Sequence, residues 1–190
     1  MRYVDTIYLM RKRSEALELT ILGLLAQGPM HGYELRKRML SVLGPFRGLA
    51  FSVLYPQLHR MMEEGSIEEL EAKTPAGKSR RKRIVYAITD DGQKAFESMV
   101  EESDADAWSD ENFEVRFAFF GPTPKSNRLR ILEGRLRRLT EKAEVLQEEL
   151  KLNVKNKDTY LAEWRRHSLD AAEREISWLQ EMINTERKLA

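Results

Sequence analysis

The chain has 190 residues, of which 42% are hydrophobic and 33% are charged, and its formal net charge is only +1. This apolar content is sufficient for one large or two small packed domains, and the balanced charge excludes a disordered polyelectrolyte. The absence of cysteine excludes disulfide bonds, thiolate metal sites and a cysteine nucleophile. The sequence shows neither a signal-peptide core nor an apolar run of membrane-spanning length, and we therefore expect a soluble cytoplasmic protein.

Three helices are predicted in the first third of the chain. Apolar residues recur at helical spacing from Ser14 to Gln27, and Gly28-Pro29 ends this element. The segment HGYELRKRMLSVLG continues the pattern and predicts a second helix, which Gly44-Pro45 ends. A third helix is expected from about Ser52 to Glu64, followed by Gly65 as a terminator. The short turn between the first two helices is typical of a helix-turn-helix.

Two strands and a fourth helix follow. The segment SIEELEA and the alternating run RIVYAIT predict a β-hairpin, and TDDGQKAFESMV predicts a helix capped by Thr89 or Asp90. The loop between the strands places five cations in the six positions from Lys78 to Arg83. A nearly neutral chain thus concentrates positive charge at one hairpin tip, which indicates a polyanionic partner. The alternative is a solvated turn without a ligand.

The second half of the chain has a different pattern. The acidic segment EESDADAWSDEN is predicted to be a linker, and FEVRFAFFG is predicted to be a short aromatic helix. A long helix is expected after Thr123-Pro124, and a last helix from about residue 156 to 188. The apolar residues of the long helix recur at spacings of three and four, like a packed helix seam: Leu129, Leu132, Leu136, Leu139, Ala143, Leu146 and Leu150. The predicted divisions are 1–102, an acidic linker at 103–110, and a helical domain at 111–190.

The order helix, helix, helix, strand, strand, helix predicts a winged helix-turn-helix within a mainly α fold that has one small β-hairpin. In this architecture the third helix enters the major groove of DNA, and the hairpin tip, or wing, lies along the phosphates. The candidate contact residues are Ser52, Tyr55, Gln57, His59 and Arg60 on the recognition helix, and Lys78, Ser79, Arg80, Arg81, Lys82 and Arg83 on the wing. Packing of Tyr55 against the hairpin, and simple solvation of Gln57, His59 and Arg60, are the alternatives.

The stretches LELTILGLLAQGPMHGYELRKRM, SVLYPQLHRMMEEGSIE and RKRIVYAITDDGQKAF resemble the DNA-binding half of PadR-type transcriptional regulators. The second half, with VRFAFFG, RLRILEGRLRRL and HSLDAAEREISWLQEMI, resembles the C-terminal helical domain of one branch of that family. The resemblance implies a homodimer that usually represses transcription and responds to small ligands. It places the recognition helix at Ser52 to Glu64 and the wing at Lys73 to Arg83, and it implies phosphate contacts for Tyr33 and Lys37.

The aromatic residues of the second half have two interpretations, a packed core or a pocket for a small effector. The candidate pocket residues are Trp108, Phe113, Phe117 and Trp164. The candidate dimerisation residues are Leu129, Leu132, Leu136, Leu139, Leu146, Trp164, Trp178 and Leu179. An intramolecular helical hairpin is the alternative to a dimer seam. We expect a dimer because such a hairpin alone would leave the aromatic helix at 111–120 poorly covered, and because operators are commonly two-fold symmetric.

The predicted function is a sequence-specific regulator that binds double-stranded DNA as a ligand-responsive homodimeric repressor. The alternative is a winged-helix protein-interaction module that does not bind DNA directly. An enzyme is not expected, because the sequence contains no nucleophile–base signature and no glycine-rich phosphate loop. We expect no cofactor and no metal site, since His31, His59 and His167 have no ligand spacing.

Overall fold

The computed structural model describes residues 3–43, 51–71, 84–110, 112–152 and 159–189, with the backbone alone described at 3–13, 43, 51, 52 and 71. The elements are α1 (Tyr3–Leu25), β1 (Met30–His31), α2 (Gly32–Leu43), α3 (Phe51–Glu63), β2 (Ile67–Glu71), β3 (Ile84–Ile88), α4 (Asp90–Glu101), α5 (Phe113–Ala118), α6 (Lys125–Leu152) and α7 (Thr159–Lys188). The chain divides into two compact units: Met1–Glu102 with Glu114–Pro122, and Ser103–Phe113 with Thr123–Ala190. The predicted fold class, mainly helical with a small antiparallel sheet, is confirmed.

The first unit is built on one apolar core that α1 runs through. The members of this core share near-complete burial and come from every helix of the unit: Leu19, Ile21, Leu22, Leu25, Leu35, Met39, Leu54, Leu58, Met61, Phe96, Val100, Val115 and Phe119. Their helical spacing in each segment is what places one stripe of every helix against the others. Burial of side chains of this size stabilises the unit by about 1.5–3 kcal/mol each before the entropic cost of ordering them.

The sheet has three antiparallel strands in the order β1-β3-β2. Met30 pairs with Tyr86, and Ile67 pairs with Ile88 at the other edge. Strand β1 was not predicted, because two residues are too few to show an alternating pattern. It makes β3 the central strand, and both Tyr86 and its neighbour Ala87 are therefore buried.

The end of α3 is tied to the base of the wing and to α4. Gly65 adopts a positive φ of 75°, and the amides of Gly65 and Ser66 bond the carbonyls of Met62 and Met61 in a Schellman motif. The Thr89 hydroxyl donates to the Gly65 carbonyl at 2.6 Å and accepts from the amide of Gly92 at 3.1 Å, so it also caps α4. This junction fixes where α3 ends relative to the two strands.

The aromatic helix α5 is covered by the first unit of the same chain, which differs from the expectation that it needs a partner subunit. Phe119 packs on Gly23 of α1, which has no side chain in the way, and meets Phe96 edge-on with ring centroids 5.9 Å apart. Arg116 donates to the carbonyl of Met99 and pairs with Glu102 at 2.6 Å, at the end of α4. The aromatic content of α5 is thus explained by packing within one chain.

In the second unit, α6 and α7 form an antiparallel hairpin. Arg128, near the start of α6, pairs with Glu186 at the end of α7, whereas Glu149 near the end of α6 pairs with Arg165 near the start of α7. Residues buried between the two helices include Leu132, Leu139, Ala143, Ala172, Leu179 and Ile183. Three predicted dimerisation residues (Leu132, Leu139 and Leu179) are therefore core residues of an intramolecular hairpin, the alternative that the heptad spacing left open.

The predicted acidic linker is a packed segment, which is a second difference from expectation. Ala107 is fully buried, the Trp108 ring lies on Gly134 of α6, and the hydroxyl of Ser103 accepts from Arg130 at 3.2 Å. The acidic side chains suggested a solvated linker, but one of them, Asp110, is paired with Arg135 of α6. Opposite charges on α6 thus hold the segment in place.

Candidate nucleic-acid interface

Helix α3 presents two distinct faces. Leu54, Leu58 and Met61 are buried at spacings of four and three, which directs this stripe into the core. The opposite face exposes Val53, Tyr55, Pro56, His59 and Arg60. A helix whose outer face mixes aromatic, imidazole and guanidinium groups has the hydrogen-bonding capacity to meet the edges of bases.

Tyr55, on α3, lies close to α2 and to the sheet. A β-carbon placed on Gly32 would lie 3.8 Å from the Tyr55 hydroxyl and 3.3 Å from the Tyr86 ring, so both tyrosines lie close to the start of α2. Burial raises the pKa of Tyr86, and nearby Glu69 and Tyr55 add to this shift. Tyr55 lies near Tyr86 and is still 40% exposed, and its contact with DNA stays a prediction.

Gln57 differs from its predicted role as a base-reading residue. It is buried, and its Oε1 accepts a hydrogen bond from the Ser14 hydroxyl of α1 at 3.2 Å. Among the residues that the structure describes, none bonds its buried Nε2. A side chain directed at α1 does not present its amide to a duplex, so Gln57 orients α3 on α1 instead. Its exposure depends on how the two helices cross, which helical spacing alone does not reveal.

Arg60 is exposed but engaged by two carboxylates. Its Nη2 lies 3.3 Å from Oε2 of Glu18 on α1, and its Nε lies 3.4 Å from Oε1 of Glu64. Burial raises the pKa of Glu18 above its ordinary value, and the charge of Arg60 partly opposes this shift. Sequence reasoning missed Glu18 and Ser14, although their spacing of four residues on α1 is the one that puts two side chains on one helical face.

The first turn of α2 lies next to this surface. Tyr33 is 75% exposed and follows Gly32, the residue that the Tyr55 hydroxyl approaches, and Lys37 is exposed one turn later. Nδ1 of His31 lies 3.4 Å from the carbonyl of Ile84, so His31 braces α2 against the start of β3. The structure thus brings Tyr33 and Tyr55, two of the predicted contact residues, to neighbouring positions.

The wing residues Lys78, Ser79, Arg80, Arg81, Lys82 and Arg83, and the side chain of Ser52, lie outside the described residues. The two strands that lead into the wing are described, and Glu71 pairs with Ile84 at their last register position. The basic segment therefore connects the ends of two directly paired strands, as predicted for a hairpin.

None of the candidate effector residues lines the described groove between α6 and α7. In the second unit, Phe113 is buried between Arg135, 5.2 Å above its ring, and Trp178, while Trp108 lies on Gly134. Trp164 lies fourteen residues before Trp178 on α7, about 21 Å along the axis, and its ring is tilted against that of His167 at a centroid distance of 5.8 Å. Phe117 belongs to the first unit and contacts Phe120. The effector assignment stays a prediction.

Five of the candidate dimerisation residues have side chains that reach the surface of the second unit. Trp164 and Trp178 are exposed, and Leu129, Leu136 and Leu146 are partly buried. Leu136 and Ile183 line a shallow groove of about 320 Å³ between α6 and α7. Leu129, Leu136, Leu146, Trp164 and Trp178 thus keep exposed surface, unlike the three residues that the hairpin itself buries.

Within the described ranges, no group of three His, Asp or Glu side chains is placed to hold a metal ion. The described helices also include none that is long and apolar enough to cross a membrane.

Helices α1, α2 and α3 and the three-stranded sheet, with one face of α3 exposed, define a winged helix-turn-helix domain. Residues 21–98 match the model of the transcriptional regulator PadR-like family. The predicted resemblance is thus confirmed for the segment that contains α2, α3 and the sheet. The matched family consists of transcriptional regulators, in agreement with the expectation that the chain is not an enzyme.

Individual relatives cover the chain to different extents. The negative transcriptional regulator PadR of Bacillus subtilis (strain 168) is 31% identical over 78 residues, which are 41% of this chain and 41% of that protein. The chain therefore matches less than half the length of this curated relative.

Solved structures are similar over more of the chain but at low scores. Bacillus subtilis PadR in complex with operator DNA is 20% identical, with 90% of this chain and 98% of that chain covered and a TM-score of 0.43. The same protein in complex with p-coumaric acid is 20% identical, with 91% of this chain and 99% of that chain covered and a TM-score of 0.40. The structure of smu.1604c from Streptococcus mutans UA159 is 22% identical, with 88% of this chain and 98% of that chain covered and a TM-score of 0.39. TM-scores this low do not establish a common fold over the whole chain.

Proposed function

We propose that the protein is a transcriptional regulator that binds double-stranded DNA in a sequence-specific manner and represses its targets. The observation that carries this proposal is the outward face of α3, where Tyr55, His59 and Arg60 are exposed above the strands that lead into the basic loop. The match of residues 21–98 to regulators of the PadR-like family supports it, as does the relative that is a negative regulator.

Two kinds of contact would supply affinity and specificity separately, phosphate contacts at the wing and base contacts on α3. Cations at the wing neutralise phosphates and release condensed counterions, which supplies affinity without sequence preference. Side chains on α3 meet base edges in the major groove, where each base pair has a distinct pattern of donors and acceptors. Tyr33 and Lys37, exposed on the adjacent α2, are positioned to add phosphate contacts that fix the orientation of α3.

The decisive experiment is selection of bound duplexes from genomic fragments, followed by mobility shifts with competitor DNA over a range of salt concentrations. Replacing Arg80, Arg81 and Arg83 by Ala removes three candidate phosphate contacts, and we expect the slope of log K against log[salt] to decrease by about 2.7. The matched control replaces Arg137, Arg166 and Arg174 by Ala, which removes the same charge from exposed positions of the second unit. Equal behaviour of the two triple variants would remove the wing from the interface, and a wild-type protein that binds no duplex would favour the protein-interaction module.

A two-fold symmetric homodimer is the second part of the proposal. Operators read by dimeric helix-turn-helix proteins repeat half-sites ~34 Å apart, and a dimer holds two recognition helices at that spacing. The connection end of the α6–α7 hairpin exposes Leu152, Tyr160, Leu161 and Trp164, and large exposed apolar side chains grouped in this way are typical of an interface. This group supports dimerisation through the second unit better than the buried seam does.

A ligand response is the third part. Flat aromatic molecules suit sites lined by aromatic side chains, and Trp108, Phe113, Phe117 and Trp164 remain the residues to test. A first screen would use aromatic carboxylic acids, starting with the p-coumaric acid bound by Bacillus subtilis PadR. Tryptophan fluorescence reports binding, and operator affinity with and without the acid reports coupling. An acid that binds without changing operator affinity would count against regulation by that acid.

A further inference from the structure

Gln57 lies in the apolar stripe of α3 although its side chain is polar. It follows Leu54 by three residues and precedes Leu58 and Met61, and these three neighbours are almost completely buried. Gln57 itself is only 7% exposed, so its amide is removed from water together with the apolar side chains of the stripe. An apolar residue would fill this position without the cost of removing an amide from water.

The amide of Gln57 makes one hydrogen bond and leaves another unmade. Its Oε1 accepts from the Ser14 hydroxyl of α1 at 3.2 Å. Its Nε2 is buried, and none of the residues that the structure describes bonds it. A buried donor without an acceptor costs more free energy than one neutral hydrogen bond contributes, so Gln57 lowers the stability of the first unit compared with an apolar residue of similar shape.

The bond between Gln57 and Ser14 supplies a direction that the apolar stripe does not. Apolar contacts are not directional, and packed side chains adapt to small rotations of a helix. The amides of Gly65 and Ser66 fix the far end of α3, but Gln57 lies more than two helical turns earlier. A hydrogen bond has a preferred distance and angle, so the bond to Ser14 resists a roll of α3 about its axis at this level.

We propose that Gln57 is a positioning residue, whose bond to Ser14 holds α3 in the rotation that reads an operator, at a cost in the stability of the first unit. This inference rests on the proposed function, since it concerns how α3 meets the bases at the same interface. Gln57 acts through the orientation of α3 and does not itself contact DNA.

The rotation of α3 affects operator binding and other DNA binding differently. A helix with its side chains has a radius of about 5–6 Å, so a roll of about 10° displaces the ends of outward side chains by about 1 Å. Hydrogen bonds to base edges do not tolerate such a displacement. The proposed phosphate contacts of the wing do not involve α3, and contacts of this kind supply essentially all non-specific affinity. A loss of orientation should therefore reduce operator affinity and leave non-operator affinity unchanged.

The first test is Gln57→Met, which keeps the length of the side chain and removes its amide. We expect the melting temperature to rise by about 2–4 °C, because the unmade buried bond is lost. Operator affinity should fall about threefold to tenfold, because only the fraction of molecules with α3 in the correct rotation binds tightly. Affinity for non-operator duplex and the salt dependence of both affinities should not change, since no charge is altered.

Ser14→Ala removes the other half of the bond and separates positioning from stability. It leaves the buried amide of Gln57 without either bond, so the melting temperature should fall by about 2–4 °C. Operator affinity should fall as it does in Gln57→Met. Opposite changes of stability with the same change of operator affinity cannot result from stability alone. The double variant should bind operator like Gln57→Met, since the same bond is lost only once.

The matched control is Gln93→Met on α4, which removes the same amide from a partly exposed residue whose described bond is to Glu97 of its own helix. We expect its operator affinity to equal that of the wild type. Mobility shifts with operator and non-operator duplex give the affinities, and thermal unfolding followed by circular dichroism gives the melting temperatures and verifies that each variant is folded.

Three outcomes would overturn the inference. They are a Gln57→Met variant that binds operator like the control, a Gln57→Met variant that is less stable than the wild type, and a loss of operator affinity in Gln57→Met that Ser14→Ala does not share. The third outcome would mean that Gln57 itself contacts DNA. All three leave the proposed function intact, whereas a wild-type protein that binds no duplex would refute the proposed function and the inference together.

Discussion

Arg135 shows how one residue organises the second unit. Its guanidinium is almost fully buried, lies over the Phe113 ring, and bonds both Asp110 and Glu175. Burial by itself would lower the pKa of Arg135, but hydrogen bonds and charges of Glu175 and Asp110 raise it. The guanidinium of Arg135 stays charged because its N–H groups meet two carboxylates and its plane lies over an aromatic ring.

We expect Arg135→Ala to lower the free energy of unfolding by about 2 kcal/mol. The variant loses two ion pairs and a cation–π contact, and it leaves Glu175 partly buried without its cation. Urea denaturation followed by circular dichroism measures this change. The control is Arg138→Ala, whose exposed guanidinium also pairs with Asp110 at 3.3 Å, and which should cost no more than about 0.5 kcal/mol. Equal losses in the two variants would contradict the special role of the buried arginine.

The raised pKa of Glu18 predicts a pH dependence of stability. Burial is the main cause, Arg60 opposes it, and Glu64 and Glu15 add to it. A group whose folded pKa exceeds its unfolded value contributes stability that is fully present below the unfolded pKa and is lost as pH rises through the folded pKa. The wild type should therefore gain stability relative to Glu18→Gln as pH falls from 7 towards 4.5, the ordinary value. Melting temperatures of both proteins across this range test the sign, and a constant difference would contradict the shift.

At the scale of elements, the bounds of most helices and strands were predictable from the sequence, whereas the way the helices pack across one another was not. The structure gives α3 as Phe51–Glu63 and α7 as Thr159–Lys188, close to the predicted bounds, because apolar spacing and terminators are local properties of the sequence. Helix α1 begins at Tyr3, well before the predicted start at Ser14, since its first turns lack a clear apolar stripe.

In the candidate interface, too, the features that depend on one helix were predictable, and the contacts between helices were not. Exposure of Tyr55, His59 and Arg60 was predicted from the stripe on α3, which is a property of one helix. Burial of Gln57 and the pairing of Arg60 with Glu18 result from the approach of α1, whose contacting residues lie 43 and 42 positions earlier in the chain. Contacts at such separation depend on tertiary packing, which periodicity does not encode.

The junction between the sheet and α4 gives an element-scale prediction. A β-carbon at Gly92 would overlap the backbone carbonyl of Ser66, which cannot move without disturbing the end of α3 and the Thr89 amide that it bonds. We expect Gly92→Ala to lower the free energy of unfolding by about 3 kcal/mol. Gly121→Ala is the control, since no atom lies within 4 Å of the added carbon, and it should change little. Urea denaturation that finds the two variants equally stable would show that the junction adapts.

At the scale of the whole molecule, the proposed homodimer is expected to decide how strongly the proposed regulator binds its operator. A monomer presents one recognition helix and one wing, whereas a symmetric dimer engages two half-sites, and the second engagement is intramolecular. Affinity and salt dependence should therefore both report the oligomeric state, provided that the interface and the DNA-binding surface lie on different elements.

The double substitution Tyr160→Asp with Trp164→Asp tests this prediction on two exposed aromatic residues of α7, 89% and 66% accessible. We expect a monomer in sedimentation equilibrium, a salt slope reduced to about half, and operator affinity reduced about 100-fold or more. The control is Ala171→Asp with Thr185→Asp, which adds the same charge at exposed positions of the same helix without removing apolar surface. Because neither aromatic side chain is buried in the single chain, loss of folding is not expected. A folded double variant that remains dimeric with unchanged affinity would exclude the connection end of the hairpin and leave the groove at Leu136 and Ile183 as the next surface to test.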